Sequence, residues 1–133
     1  MSEPRRATPV RRGRRWRFYG TASGREPVRD FLYDPKLSDV DAAAIATAMK
    51  EVRAVGRAHT DVNHLRGDIW QIEIDGERVI YRLLFAEERR YAQVLLALEV
   101  VKTKWQKARE QDIRLAEERL SDWRQRGRVA LDH

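Results

Sequence analysis

Apolar residues recur every second position in some stretches of the chain and every three to four in others, and the two periods divide it into strands and helices. Residues 14–20 (RRWRFYG) read as a first strand, with aromatics at Trp16, Phe18 and Tyr19 and Gly20 to end it. Residues 25–33 read as a short helix with Pro27 in its first turn, closed where Pro35 pushes Asp34 out of the helical region. The strongest helical pattern spans 37–56. Ser38 is placed to cap it with Asp41 three residues on, Val40, Ala44, Met49, Val52 and Val55 fall near one face, and Gly56 suits the stop.

Asp75-Gly76, lying between two alternating runs, predicts a two-residue type I′ hairpin over 69–85. That turn would set Ile74 opposite Glu77, Glu73 opposite Arg78, Ile72 opposite Val79 and Ile69 opposite Arg82. One face then carries Trp70, Ile72, Ile74, Val79, Tyr81, Leu83 and Phe85 and is core; the other carries Ile69, Gln71, Glu73, Arg78, Ile80 and Arg82 and is expected to be partly buried. Residues 91–101 supply another strand. Residues 110–127 read as a final helix with Ile113, Ala116, Leu120 and Trp123 on one stripe and Gly127 as its stop. The order β-α-α-β-β-β-α predicts an α+β domain with an antiparallel-rich sheet and two helices on one face. The other face is expected to be open, or partly covered by the last helix, with Arg82 pointing at it.

With 133 residues, 42% of them hydrophobic, the chain suits one core. No run approaches 18 apolar residues and no apolar segment follows the Arg-rich start, so neither a membrane span nor a secretory signal is expected. The absence of cysteine excludes disulfides and thiolate metal sites, and His59, His64 and His133 are badly spaced for zinc. A cytoplasmic protein without cofactor or metal is the expectation. The net charge of +6 resides at the start of the chain. Arg5, Arg6, Arg11, Arg12, Arg14, Arg15 and Arg17 stand there against Glu3 alone, which leaves equal numbers of basic and acidic side chains in the rest. Residues 1–13 read as a disordered tail, suited to polyanions or to solubilising the chain, 14–128 as the domain and 129–133 as a disordered end.

The stretch VVKTKWQKAR, residues 100–109, sets a basic segment at the exit of an apolar strand. It is either a solvated loop or an edge that faces phosphate. Arg82 is unusual toward the middle of a sheet. Its stem either crosses the sheet to pair with Glu73, or its fork presents to an anion.

These segments, from Trp16 to about Arg126, together resemble the phage-derived, HigB-like branch of the RelE/ParE toxin superfamily, whose members carry an LRG…LWELR strand, a YRVLY-type strand and LLLHGFIKKTQKTP before EIELAERR. Leu65-Arg66-Gly67, Trp70, Tyr81-Arg82, Lys104, Gln106, Lys107, Ala116-Glu117 and Arg119 match that pattern. Glu99 stands in place of its histidine, Glu73 of an arginine, Thr103 of its first lysine, Trp105 of a threonine and Ala108-Arg109 of Thr-Pro. The resemblance implies a RelE-like fold and a type II toxin: a metal-independent, ribosome-associated messenger-RNA endoribonuclease, neutralised by an antitoxin of helix-turn-helix type. A binding or inhibitory module of the same fold, acting on ribosomal RNA or on a protein target, is the alternative.

RNA cleavage needs a base for the 2′-hydroxyl and cations for the phosphorane. Arg82, Glu99 and Lys104 are the candidate catalytic residues, with Arg82 and Lys104 as cations and Glu99 as base, or else as an ion-pair partner of Lys102 or Arg82. Arg66, Lys102, Trp105, Lys107 and Arg109 are the candidate RNA contacts. For Arg66 a loop-to-helix salt bridge stays open, and for Trp105 packing beneath the last helix.

Overall fold

The computed structural model describes residues 13–88, 93–103 and 108–131, with side chains to 127. It is α+β, as expected, with one strand more than the sequence pattern suggested. In chain order the elements are β1 (Arg15–Phe18), α1 (Pro27–Leu32), α2 (Asp39–Val55), β2 (Val62–Arg66), β3 (Ile69–Asp75), β4 (Ile80–Glu88), β5 (Val94–Thr103) and α3 (Glu110–Leu131). The sheet order is β1-β5-β4-β3-β2, with β1 parallel to β5 and every other pair antiparallel. The added strand, β2, lies in a segment whose only regular feature is Val62 and Leu65 among polar residues.

The β3–β4 connection corrects the expected two-residue turn. Asp75 pairs with Ile80 and Ile74 with Tyr81, so residues 76–79 form the loop, closed by the Gly76 N–H on the Val79 carbonyl at 2.9 Å. Each β3 residue pairs four positions further along β4 than expected. An even displacement returns every side chain to the same face, so Ile72, Ile74, Tyr81, Leu83 and Phe85 remain core. Gly76 is required by proximity rather than by a left-handed backbone. A Cβ there would sit 2.6 Å from Tyr81 Cε2 and 3.0 Å from both Asp41 carboxylate oxygens.

Helix α2 is capped as its sequence predicts, the Ser38 hydroxyl accepting from the Asp41 N–H at 3.1 Å. The Asp41 carboxylate turns away from the cap. It accepts from the Glu77 N–H at 2.8 Å and the Tyr81 hydroxyl at 2.6 Å, tying the helix to the β3–β4 loop. The buried stripe of α2 is Asp41, Ile45, Met49 and Val52, whereas Val40 and Val55, expected on that face, are exposed. Gly56 ends the helix at φ 68°, with the Arg14 guanidinium packed where a Cβ would lie.

The second face of the sheet is closed. Leu84, Ala86, Leu96, Leu98 and Ile69 pack against Ala116 and Leu120 of α3, because that helix has an apolar stripe of its own to bury and no other surface to bury it on. Of the two expectations for this face, open or partly covered by the last helix, the covering is what the structure has, and it goes further than expected: the face is a second core on which Ile69, Gln71 and Arg82 are buried. Helix α3 also continues through Gly127 to Leu131, so that glycine does not stop it. Among the described residues no helix is long and apolar enough to cross a membrane.

Candidate active site

Strands β4 and β5 run in register from Ile80 opposite Thr103 to Leu84 opposite Glu99, and then Phe85 pairs with Ala97. The register shift leaves Leu98 as an extra residue, a β-bulge. Simple alternation from Leu96 and Leu98 on the α3 face would turn Glu99 toward α1 and α2. The bulge instead keeps Leu98 and Glu99 on one face, and Glu99 lies against α3, 4.0 Å from the Arg119 guanidinium.

A row of polar groups crosses the three central strands at this level. Gln71 on β3 and Glu99 on β5 flank Leu84, and in the next row Glu73 flanks Arg82. Arg82 is 2% exposed and lies 3.8 Å from the Glu73 carboxylate. Gln71 Oε1 and Glu99 Oε2 are buried, and neither has a hydrogen-bond donor among the described residues. Buried acceptors without donors are uncommon in folded proteins, and they mark this row as the place where a ligand has something to satisfy. Pattern reading placed Gln71 on this face without assigning it a role.

Helix α3 brings the remaining groups. Arg119 donates to the Leu98 carbonyl at 2.7 Å and lies 5.7 Å over the Tyr19 ring, so the bulge carbonyl fixes its position beside Glu99. Asp112, in the first turn, receives Arg109 at 3.4 Å. Burial first, and then the Asp112 charge, push the Glu99 carboxyl up to about 7, against the opposing pull of Arg119 and Arg109.

Of the residues singled out in the sequence, Arg82, Glu99 and Arg109 converge on this region. Arg66 donates through Nε and Nη2 to Glu117 at 3.2 and 2.7 Å and through Nη1 to Glu110 at 2.9 Å, which makes it a strand-to-helix tie. Those bonds hold the Glu110 and Glu117 carboxyls below their usual range. Lys102 projects from the opposite face, across from Tyr81, into a cleft with Lys36 and Phe31. It is no partner of Glu99. Lys104, Trp105 and Lys107 lie outside the described residues. Among the described residues no group of three or more histidines and carboxylates is placed to hold a metal ion.

The fold and this row define a small α+β protein whose polar chemistry lies between the sheet and its last helix. The sequence comparison gives that architecture a family: residues 35–121 match the Phage derived protein Gp49-like (DUF891) family, and the chain belongs to it. Gp49-like proteins are part of the RelE/ParE-like toxin family and are toxins of toxin–antitoxin systems, which implies a cognate antitoxin as partner. No curated protein sequence matches the chain.

Proposed function

We propose that this chain is the toxin of a type II toxin–antitoxin system and that it cuts messenger RNA on the ribosome by a mechanism that asks for no metal ion. The observation that carries the reading is the Glu99 carboxyl, 13% exposed and raised to about 7. A carboxyl in that range is ionised often enough at neutral pH to act as a base and is basic enough to take a proton from a hydroxyl. In the proposed reaction Glu99 takes the 2′-hydroxyl proton and the 2′-oxygen attacks phosphorus. The bond to the 5′-oxygen then breaks, leaving a 2′,3′-cyclic phosphate and, once that oxygen is protonated, a 5′-hydroxyl. Arg82 and Lys104 stabilise the charge that builds on the phosphorane. Arg82 does so only once the groups that bury it give way to RNA. Trp105, Lys107 and Arg109 hold the strand at the exit of β5. Arg66 joins them by exchanging a helix carboxylate for phosphate, and Lys102 meets RNA only where the strand passes round the end of the sheet. The antitoxin, of helix-turn-helix type, occludes this region.

The test is primer extension on a messenger RNA during inducible expression, beside a Glu99→Gln variant. New 5′ ends within codons for the unaltered chain and none for the variant support the reading. Growth arrest without new ends sinks it in favour of a second reading, a toxin that binds ribosomal RNA or inhibits a protein target without cutting. That second reading has its own support, since the forks of Arg82 and Arg66 are both paired with carboxylates of the same chain.

A further inference from the structure

Arg119 on α3 uses little of its guanidinium on the fold. Arg124 on the same helix places all three nitrogens of its fork on Glu88 and Asp68, and Arg66 on β2 places its three on Glu110 and Glu117. Arg119 makes one hydrogen bond among the described residues, from Nη1 to the Leu98 carbonyl at 2.7 Å. A guanidinium carries five N–H donors, so most of those of Arg119 remain for something else. Its place is nevertheless fixed. It stands between Ala116 and Leu120, both buried against the sheet, and it lies 5.7 Å from the centre of the Tyr19 ring, whose hydroxyl is anchored on Asp122 at 2.5 Å.

The Glu99 carboxylate lies 4.0 Å from Arg119 Nη1, beyond hydrogen-bond distance. The two groups therefore face each other without closing on one another, and Glu99 Oε2 has no donor among the described residues. Cutting RNA calls for a base at the 2′-hydroxyl and a cation at a non-bridging oxygen of the adjacent phosphate, each at about 3 Å. Those two atoms are neighbours in one nucleotide, and a carboxylate and a guanidinium 4.0 Å apart match that spacing. Arg82 is placed differently. It is 2% exposed and lies 3.8 Å from Glu73, whereas Arg119 keeps 19% of its side chain exposed beside a Glu99 that keeps 13%.

We propose that Arg119 is a substrate contact of this site, the guanidinium that takes the scissile phosphate of a single RNA strand while the Leu98 carbonyl and the Tyr19 ring hold it in place. The inference rests on the cleavage reading for its consequence, but the phosphate contact can be measured without cleavage. In the reaction the bond from the 2′-oxygen to phosphorus forms and the bond to the 5′-oxygen breaks, as above. Arg119 exchanges no proton in either change; its fork meets the charge that builds on the phosphorane oxygens.

The experiment adds a short 2′-O-methyl RNA, which cannot be cut because its 2′-oxygens carry no proton, to the purified full chain. The side-chain Nε–Hε signals of the arginines are followed by NMR, that of Arg119 being assigned by its loss in Arg119→Lys. The expected result is an Arg119 signal that shifts and saturates with the oligonucleotide. An Arg119 signal that stays put overturns the proposal, whether or not other signals move. The logarithm of the affinity is then plotted against the logarithm of the salt concentration. Arg119→Gln should lose about one from that slope, while Arg119→Lys keeps the charge and the slope and binds more weakly for want of the fork. A structural role alone lowers the melting temperature and leaves slope and affinity of the folded fraction unchanged, which overturns the proposal too. If Arg119→Gln fails to fold, the unaltered chain and Arg119→Lys decide it. Primer extension separates this inference from the reading beneath it. New 5′ ends should drop by about a hundredfold in Arg119→Gln. Ends undiminished in that variant overturn the proposal and leave the cleavage reading standing, whereas a shifted Arg119 signal in a chain that makes no new ends supports the contact and removes the cleavage reading.

Discussion

Arg66 on β2 grips Glu117 on α3 with two nitrogens of its fork and holds Glu110, two helical turns away, with the third. The contact joins the edge strand to the helix that closes the second core. Arg66→Lys keeps the charge and loses the fork, so the expected outcome is a lower melting temperature whose difference shrinks as salt is raised. Glu117→Gln should give a similar change. If Arg66 instead served mainly as a phosphate contact, thermal melts of both variants would match the unaltered chain and only RNA affinity would fall.

A second expectation concerns the loop that pattern reading misplaced. Tyr81→Phe removes one of the donors to the Asp41 carboxylate and should cost about 1–2 kcal/mol in urea unfolding. Gly76→Ala places a methyl against the Tyr81 ring and the Asp41 oxygens and should destabilise as well. Gly67→Ala serves as the control for backbone strain. Its φ is +55° with nothing near its Cβ position, so only the conformational penalty is expected there. Equal losses at the two glycines would mean that the crowding around Asp41 contributes nothing.

Glu99 should make the protein less stable as pH rises, the reverse of its ion-paired carboxylates. Its carboxyl titrates near 4.5 in the unfolded chain and at about 7 when folded, so the folded state binds the extra proton between those values. The destabilisation is absent below pH 4.5, grows through that window and is complete above 7, with an upper bound of about 3 kcal/mol. Glu99→Gln should therefore be more stable than the unaltered chain at pH 8 and lose that advantage at pH 4.5. Melting curves of the two proteins across this range decide it. Asp41, Glu110 and Glu117, whose carboxyls are held low by their partners, act in the opposite direction and weaken the fold only under acid.

Arg82 is buried, so its removal has a structural cost that an arginine on an open face would not carry. Arg82→Ala leaves a cavity and an uncompensated Glu73, and about 2–4 kcal/mol of stability should be lost. Arg82→Met keeps most of the volume and should recover part of that loss while restoring no toxicity, because no fork remains. Denaturant titration with a growth assay on both variants separates the two contributions. A toxic, folded Arg82→Met would remove this residue from the chemistry.

Strands β1, β3, β4 and β5 and helices α1, α2 and α3 were legible in the sequence because local periodicity and caps act over a few residues, whereas β2, with only Val62 and Leu65 among polar residues, was not. Pro27 opens α1, Ser38 caps α2, and Gly56 ends it. Which faces of β3 and β4 enter the first core was legible too, since alternation survives any even change of register. The four-residue loop was not, because the Asp41 carboxylate that receives the Glu77 N–H lies on a helix well upstream in the chain. The two exposed valines of α2 had the same origin, the final rotation of that helix being set by the sheet it meets.

The sequence by itself determined an α+β chain with strand and helix patterns in order, a core face for the central hairpin, and two unusual charged residues, Arg82 and Glu99. Only the tertiary structure decided what those residues are near. Placing β1 beside β5, closing the second face with α3 and inserting Leu98 as a bulge are pairings between segments far apart in the chain. Each is selected by which apolar surfaces remain to be covered once the others have packed. That selection buried Arg82 beside Glu73, turned Lys102 to the opposite face and set Glu99 beside Arg119. No pattern read along one strand contains the partner on the next.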